Sequence, residues 1–282
     1  MHSVLNWLAR RPLWLLHALG AALGWLAYAG SPSYRRRLRS NAALAGLTVA
    51  QRRASVAEAG RLVMELPRLW LRPPDQPIND PLLWQGEAFL GDLLARQQGL
   101  VLLTPHMGSF EVSAQAYAQR FGDVQPITVL YRPARKAWLR EVEATARARP
   151  QLATAPANLS GVRQMLRALR RGETVGLLPD QVPPHGMGVW VPFFGRSAYT
   201  MTLAARLVQQ TGAAVAVLVT ERLPHGAGYV VRALPLAHPL PTSGDEAAAL
   251  AINQSMEAVI RLKPSQYLWG YHRYKQPRSA AL

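Results

Sequence analysis

The sequence contains no cysteine, which excludes disulfides, thiolate metal ligands and thiol nucleophiles while leaving the compartment open. Its seven histidines include no His-x-x-x-His pair, so no metal site is supported, and no metal or other cofactor is expected. Long Ser, Gly or Gln tracts and internal repeats are missing. With 49% apolar residues the body of the chain is expected to fold. Acidic residues are scarce: 16 Asp and Glu stand against 32 Lys and Arg, a formal net charge of +16. The excess arginine is spread along the chain and requires an anionic partner. Nucleic acid, an anionic membrane surface, or an acidic protein with a phosphorylated substrate all fit. Helix-turn-helix, zinc-finger and RNA-binding signatures are absent, and no nucleic-acid partner is expected.

What is present begins with an apolar stretch. Leu13 to Ala29 is interrupted only by His17 and gives about 17 residues, roughly 26 Å of helix, near the lower limit for crossing a bilayer. It lies between Arg10-Arg11 and the denser Arg35-Arg36-Arg37-x-Arg39. This reads as a membrane anchor over residues 1–34, spanning or embedded, followed by one domain over 35–282. If the segment spans, the heavier basic flank stays inside and the body faces the cytoplasm. Two other readings compete. Ala27-Tyr28-Ala29 resembles a signal-peptidase site, although the following arginines oppose export, and Gly20 with Gly24 would suit a close-packed core helix.

Beyond the anchor, Val56, Ala59, Val63, Leu66 and Trp70 recur at helical spacing despite Pro67. Pro73 to Pro81 reads as a connecting loop. Strand-like runs follow at Leu100–Thr104, Ile127–Tyr131, Thr174–Leu178 and Ala214–Thr220. Helical patterns lie between them (Val162, Met165, Leu166, Leu169; Leu203, Ala204, Leu207, Val208) and after them (Ile252, Met256, Val259, Ile260). Gly228–Leu236 is placed as an antiparallel partner of the preceding strand. The alternation predicts an α/β fold, layered α/β/α around a central mixed sheet, with function collected in loops beyond the strand C-termini. Thr104-Pro105-His106 and Pro179-Asp180-Gln181 both follow predicted strands.

In Leu103-Thr-Pro-His106-Met-Gly-Ser-Phe-Glu111 a histidine at a strand end precedes a carboxylate by five residues. A carboxylate bonded to one imidazole nitrogen fixes the tautomer and leaves the other nitrogen to take a proton, a general-base dyad. The bland alternative is a turn histidine and a first-turn helix glutamate favoured by the dipole. Ser109 lacks the Gly-x-Ser-x-Gly elbow of a nucleophile.

Four blocks, taken in order and spacing, carry a resemblance. They are His106-x4-Glu111; Leu130-Tyr-Arg132-Pro133; Leu178-Pro-Asp180-Gln181 with Gly188-Val-Trp-Val-Pro-Phe-Phe-Gly195-x-x-Ala198-x-Thr200; and Gln266-Tyr-Leu-Trp269 through His272-Arg-Tyr-Lys275. From the anchor to about Lys275 the sequence resembles the late acyltransferases of lipid A biosynthesis, the lauroyl/myristoyl transferase family within the lysophospholipid acyltransferase superfamily. The resemblance implies that His106 and Glu111 are the catalytic pair, that an Arg important for activity falls on Arg147, with Arg149 as its alternative, and that an important Asp falls on Asp180.

Without the family, Arg147 and Arg149 read as a solvated helix end, Asp180 as a cap, and Arg132 as either a phosphate contact or a strand terminus. Val189–Phe194 suits a buried strand or an acyl groove. The Tyr267–Lys275 block suits an interfacial or docking helix. Related members often carry a second Arg near Tyr271-His272-Arg273-Tyr274, so no specific phosphate role follows for that block.

The implied reaction moves an acyl chain from an acyl carrier protein thioester to a hydroxyl of a phosphorylated glycolipid, a lipid A precursor, at a bacterial inner membrane. Arg132, Arg147, Arg149 and Asp180 would serve substrate binding, and backbone N–H groups near Gly108 would hold the oxyanion. The alternatives are another glycolipid or a lysophospholipid as acceptor, or a non-catalytic basic protein on membranes or nucleic acid.

Overall fold

A computed structural model describes residues 2–131 and 149–277. The N-terminal region is helical: α1 (His2–Ala9), α2 (Leu13–Gly30), α3 (Pro32–Leu44) and α4 (Val49–Trp70). A capping box between Thr48 and Gln51 starts α4, and Pro67 is accommodated near its end. Helix α2 buries Leu13, Leu16, His17, Gly20 and Gly24, the i, i+3, i+4, i+7 stripe of one face. The fit to α4 is close: a Cβ placed on Gly60 would lie 1.9 Å from the Gly20 carbonyl oxygen. Trp14, Leu23, Trp25 and Leu26 on the other side of α2 remain exposed. Its length and composition fit a membrane anchor.

The remaining elements are β1 (Leu82–Gln85), α5 (Glu87–Leu94), β2 (Leu100–Leu103), α6 (Phe110–Phe121), β3 (Ile127–Tyr131), β4 (Leu152–Pro156), α7 (Leu159–Arg170), β5 (Thr174–Leu177), β6 (Gly188–Phe193), β7 (Arg196–Met201), α8 (Leu203–Thr211), β8 (Ala214–Arg222), β9 (Tyr229–Leu234) and α9 (Asp245–Leu262). Seven strands form one sheet in the order β1-β9-β8-β2-β5-β3-β4. Neighbours are parallel except β8 with β9, so the sheet is mixed as expected. Strands β6 and β7 form a separate hairpin whose turn, Phe194-Gly195, has both φ angles positive, the geometry of a tight two-residue connection.

Period-two alternation builds a core on each face of the sheet. On β2, Val101 and Leu103 join Met165, Leu207 and Ile252 on one side, and Leu100 and Leu102 join Leu90, Val112 and Ala116 on the other. This is the α/β/α layering.

Besides β7 of the hairpin, two strands of the seven-stranded sheet had escaped prediction, β1 and β4. They are the sheet's edges; β1 alternates between half-buried and exposed positions, and β4 ends in proline, so neither carries the apolar run of an inner strand. The Tyr267–Lys275 segment is not a helix. It runs through turns and buries Tyr267, Trp269 and Arg273.

Candidate active site

Strands β2 and β5 are adjacent, parallel and in register at Leu103 and Leu177, so their C-terminal loops emerge side by side. This brings His106 and Asp180 together. The Asp180 carboxylate accepts the His106 main-chain N–H through Oδ2 at 2.9 Å and meets the ring Nδ1 through Oδ1 at 2.7 Å. Asp180 is 1% exposed. Burial alone would raise its pKa, but the charge and both hydrogen bonds of His106, with the nearby Arg273 guanidinium, outweigh it and hold the carboxyl below its ordinary value. An ionised carboxylate can only accept, so in the neutral imidazole the hydrogen sits on Nδ1 and the lone pair on Nε2. The ring packs edge-on against Phe110, with centroids 4.9 Å apart. Among the described residues, nothing engages Nε2.

The loop after His106 is strapped from three directions. Gly108, at φ +57°, donates its N–H to the Gln266 carbonyl at 3.0 Å, Ser109 N–H donates to Thr220 at 2.9 Å, and Leu268 N–H donates to the His106 carbonyl at 3.1 Å. A side chain at Gly108 would strike the Thr220 carbonyl, its Cβ 1.8 Å away. The amides of Gly108 and Ser109, in the stretch expected to offer oxyanion donors, are thus already committed to main-chain carbonyls. Ser109 itself is fully buried.

Arg222 donates to the Gly108 carbonyl at 2.5 Å and to Glu65 at 2.9 Å, and it pairs with Glu58; His17 of α2 lies 3.3 Å from Glu65. Burial opposes the charge on both Glu65 and Arg222. Their mutual attraction prevails, holding the carboxyl below and the guanidinium above their ordinary values. The apolar N-terminal helix is thereby tied, through one buried charge cluster, to the loop that carries His106.

Glu111 lies in the first turn of α6, and its carboxylate accepts the indole N–H of Trp70 at 3.3 Å. The ring partner of His106, among the described residues, is Asp180 and not Glu111. Five residues of loop and helix set Glu111 beside the histidine without turning its oxygens onto Nδ1. Arg149 is buried, and its guanidinium donates to main-chain carbonyls at the C-terminal end of α4, including Leu69 at 3.0 Å and Arg72 at 2.9 Å. It caps α4, whose Trp70 reaches Glu111, and does not line the cavity described next. Arg132 and Arg147 lie outside the described residues.

His106 and Glu111 share a cavity of about 590 Å³. Its walls are largely apolar, with Leu130 of β3, Met187, Met201 and Leu203 among them, and Gln181, Tyr271 and Lys275 add polar groups. An apolar cavity with a few convergent polar groups suits a chain-bearing substrate. One side of the Val189–Phe194 block packs into the core and none of it lines this cavity: Val191, Phe193 and Phe194 are buried, Phe193 and Phe194 next to Tyr267 and Trp269 respectively, while Trp190 and Pro192 are exposed. Arg273 is also internal, donating to the Tyr199 carbonyl at 2.6 Å and to Thr200 Oγ1 at 2.7 Å. Sequence reasoning did not find Trp70, Tyr271 or Lys275 as site residues, or the pairing of Asp180 with His106. Only the last had a signal, in that both residues follow predicted strands.

A family model described as bacterial lipid A biosynthesis acyltransferase matches residues 2–276. The chain is 27% identical over 286 residues to the lipid A biosynthesis lauroyltransferase of Escherichia coli (strain K12), covering 96% of this chain and 91% of that protein. It is 28% identical over 181 residues to the lipid A biosynthesis palmitoleoyltransferase of the same organism and, equally, to a lipid A biosynthesis acyltransferase of Shigella flexneri; these matches cover 64% of this chain and 57% of each relative.

Proposed function

The chain belongs to the bacterial lipid A biosynthesis acyltransferase family, and from that premise we propose that it transfers a fatty acyl chain from an acyl carrier protein thioester to a hydroxyl of a phosphorylated lipid A precursor. The observation that carries this reading is the Nδ1 contact of His106 with Asp180, which leaves Nε2 as a base in an apolar cavity. His106 Nε2 removes the acceptor hydroxyl proton as the oxygen attacks the thioester carbonyl. The tetrahedral intermediate collapses with loss of the thiolate, which takes the proton back from the imidazolium. No covalent enzyme intermediate is needed. Asp180 holds the ring in the required tautomer. Glu111, whose carboxylate lines the cavity, stabilises the imidazolium through space and orients the hydroxyl. The positive N-terminal end of α6 faces the developing oxyanion charge.

Arg132 and Arg147 serve the phosphate groups of the acceptor, and Lys275 contributes a further cation. Residues 1–34 hold the domain of residues 35–282 at the cytoplasmic face of the inner membrane. Helix α2 lies within the leaflet without crossing it, because its docked face runs along α4, which carries Glu58, Arg61, Glu65 and Arg68.

The test offers membranes containing the protein a Kdo-bearing tetra-acylated disaccharide, lysophosphatidic acid and glycerol 3-phosphate at matched concentrations, with acyl carrier protein thioesters of several chain lengths. Acylation of the disaccharide that disappears in His106→Ala is expected. Acylation of lysophosphatidic acid alone would assign the site to glycerolipids, and turnover retained in His106→Ala would remove the proposed base.

A further inference from the structure

A second cavity, about 810 Å³, opens between α2, α3 and α4 and shares no lining residue with the catalytic one. Trp25 and Tyr28 of α2 and Val56 of α4 wall it; Arg39 of α3 and Arg52 and Arg53 of α4 stand around it. Among the described residues these three guanidinium groups have no hydrogen bond, ion pair or ring contact. Arg61, Arg68, Arg206 and Arg232, by contrast, each meet a carboxylate. The placement of Arg52 and Arg53 is unfavourable in isolation: they follow the N-terminus of α4, where aligned peptide dipoles already put positive charge and no acidic residue occupies the first turn. Three uncompensated cations and a helix N-terminus define an anion's environment. The carrier of that anion must be amphiphilic, since the walls are aromatic and aliphatic and continue into the exposed Trp25 and Leu26 of α2.

We propose that this cavity binds an anionic phospholipid of the surrounding bilayer, its phosphate among Arg39, Arg52 and Arg53 and its acyl chains along Trp25, Tyr28, Val56 and the exposed side of α2. The site is independent of the acyl-transfer reading. It would seat the protein on an acidic membrane with α2 at the depth of the acyl chains.

The full-length protein, purified in detergent, is bound to phosphatidylcholine vesicles with and without phosphatidylglycerol at constant ionic strength. Arg39→Gln/Arg52→Gln/Arg53→Gln is compared with Arg163→Gln/Arg167→Gln/Arg170→Gln, which removes equal charge from the exposed side of α7. The preference for phosphatidylglycerol should fall at least roughly tenfold in the first variant and persist in the second. An equal loss in both, or none in the first, overturns the site. So does displacement of the lipid by millimolar inorganic phosphate, or a first-variant defect confined to acidic acyl carrier protein. A second readout changes no arginine: brominated phosphatidylglycerol should quench the native protein more than Trp25→Phe, and by a larger margin than brominated phosphatidylcholine at the same mole fraction. Absence of that difference overturns the proposal even where the triple variant fails to fold.

Discussion

Asp180→Asn bears most directly on the proposed base. The side chain keeps its shape in a site only 1% exposed, but one acceptor oxygen becomes a donor. If the amide oxygen stays on the His106 main-chain N–H, the new NH2 faces Nδ1, forces a lone pair there and moves the ring proton to Nε2, where the mechanism needs a lone pair. If the amide is reversed, two donors meet at the 2.9 Å position and one buried N–H is left unsatisfied, a cost of about 1–3 kcal/mol. The first outcome removes general-base catalysis, worth roughly 10²–10⁴ in rate. We therefore expect kcat to fall by about 10³ with the acceptor KM nearly unchanged, because Asp180 is buried behind the histidine and does not meet the acceptor. Steady-state acyl transfer by purified protein, with matched circular dichroism, reads this out. A kcat within about threefold of wild type would refute the reasoning, and severe loss in Glu111→Gln alongside it would return ring orientation to Glu111.

Removing Arg222 should leave the buried Glu65 without its guanidinium partner, with His17 and the Tyr229 hydroxyl still beside it, so Arg222→Met is expected to lose about 3–5 kcal/mol in denaturant titrations, and Glu65→Leu/Arg222→Met to lose less than that single change. Asp180 and Glu65 have carboxyls depressed in the folded state, so their stabilisation is complete above the ordinary values of 3.8 and 4.5 and is lost as pH falls through the lower folded values. Denaturation midpoints should therefore hold steady through neutral pH and drop on acidification, with a smaller drop in Glu65→Gln. The two neighbouring arginines should separate. Arg149→Ala is expected to lower stability by freeing the end of α4, with an unchanged acceptor KM in the surviving folded fraction, whereas Arg147→Ala should raise the KM for the phosphorylated acceptor and leave stability intact.

Much of the fold was legible because the inner strands β2, β5 and β8 are covered on both faces and therefore read as short apolar runs. The edge strands β1 and β4 are half-covered and carry no such run. The site was legible in its residues and not in its pairing. His106 and Glu111 are neighbours in sequence, so a bond between them is the natural guess, whereas the contact with Asp180 depends on β2 and β5 being adjacent in the sheet, a matter of strand order that local pattern does not encode. The same holds for α2. Gly20 and Gly24 announce a close helix contact, but the partners Gly60 and Glu65 lie on another helix, and only the fold brings them there. Tyr267 to Lys275 reads as an interfacial or docking helix because it mixes aromatics with Arg273 and Lys275; it is irregular instead, and the main chain of Gln266 and Leu268 holds the His106 loop in place.

The central claim, acyl transfer to a lipid A precursor by a His106 base, is tested most directly by mass spectrometry of lipid A from cells lacking the gene and complemented with wild-type or His106→Ala protein. The account predicts that loss of the gene removes one acyl chain from lipid A, that the wild-type protein restores it, and that His106→Ala, present in the membrane at equal amount, does not. Lipid A identical in all three strains, or full restoration by His106→Ala, would contradict it.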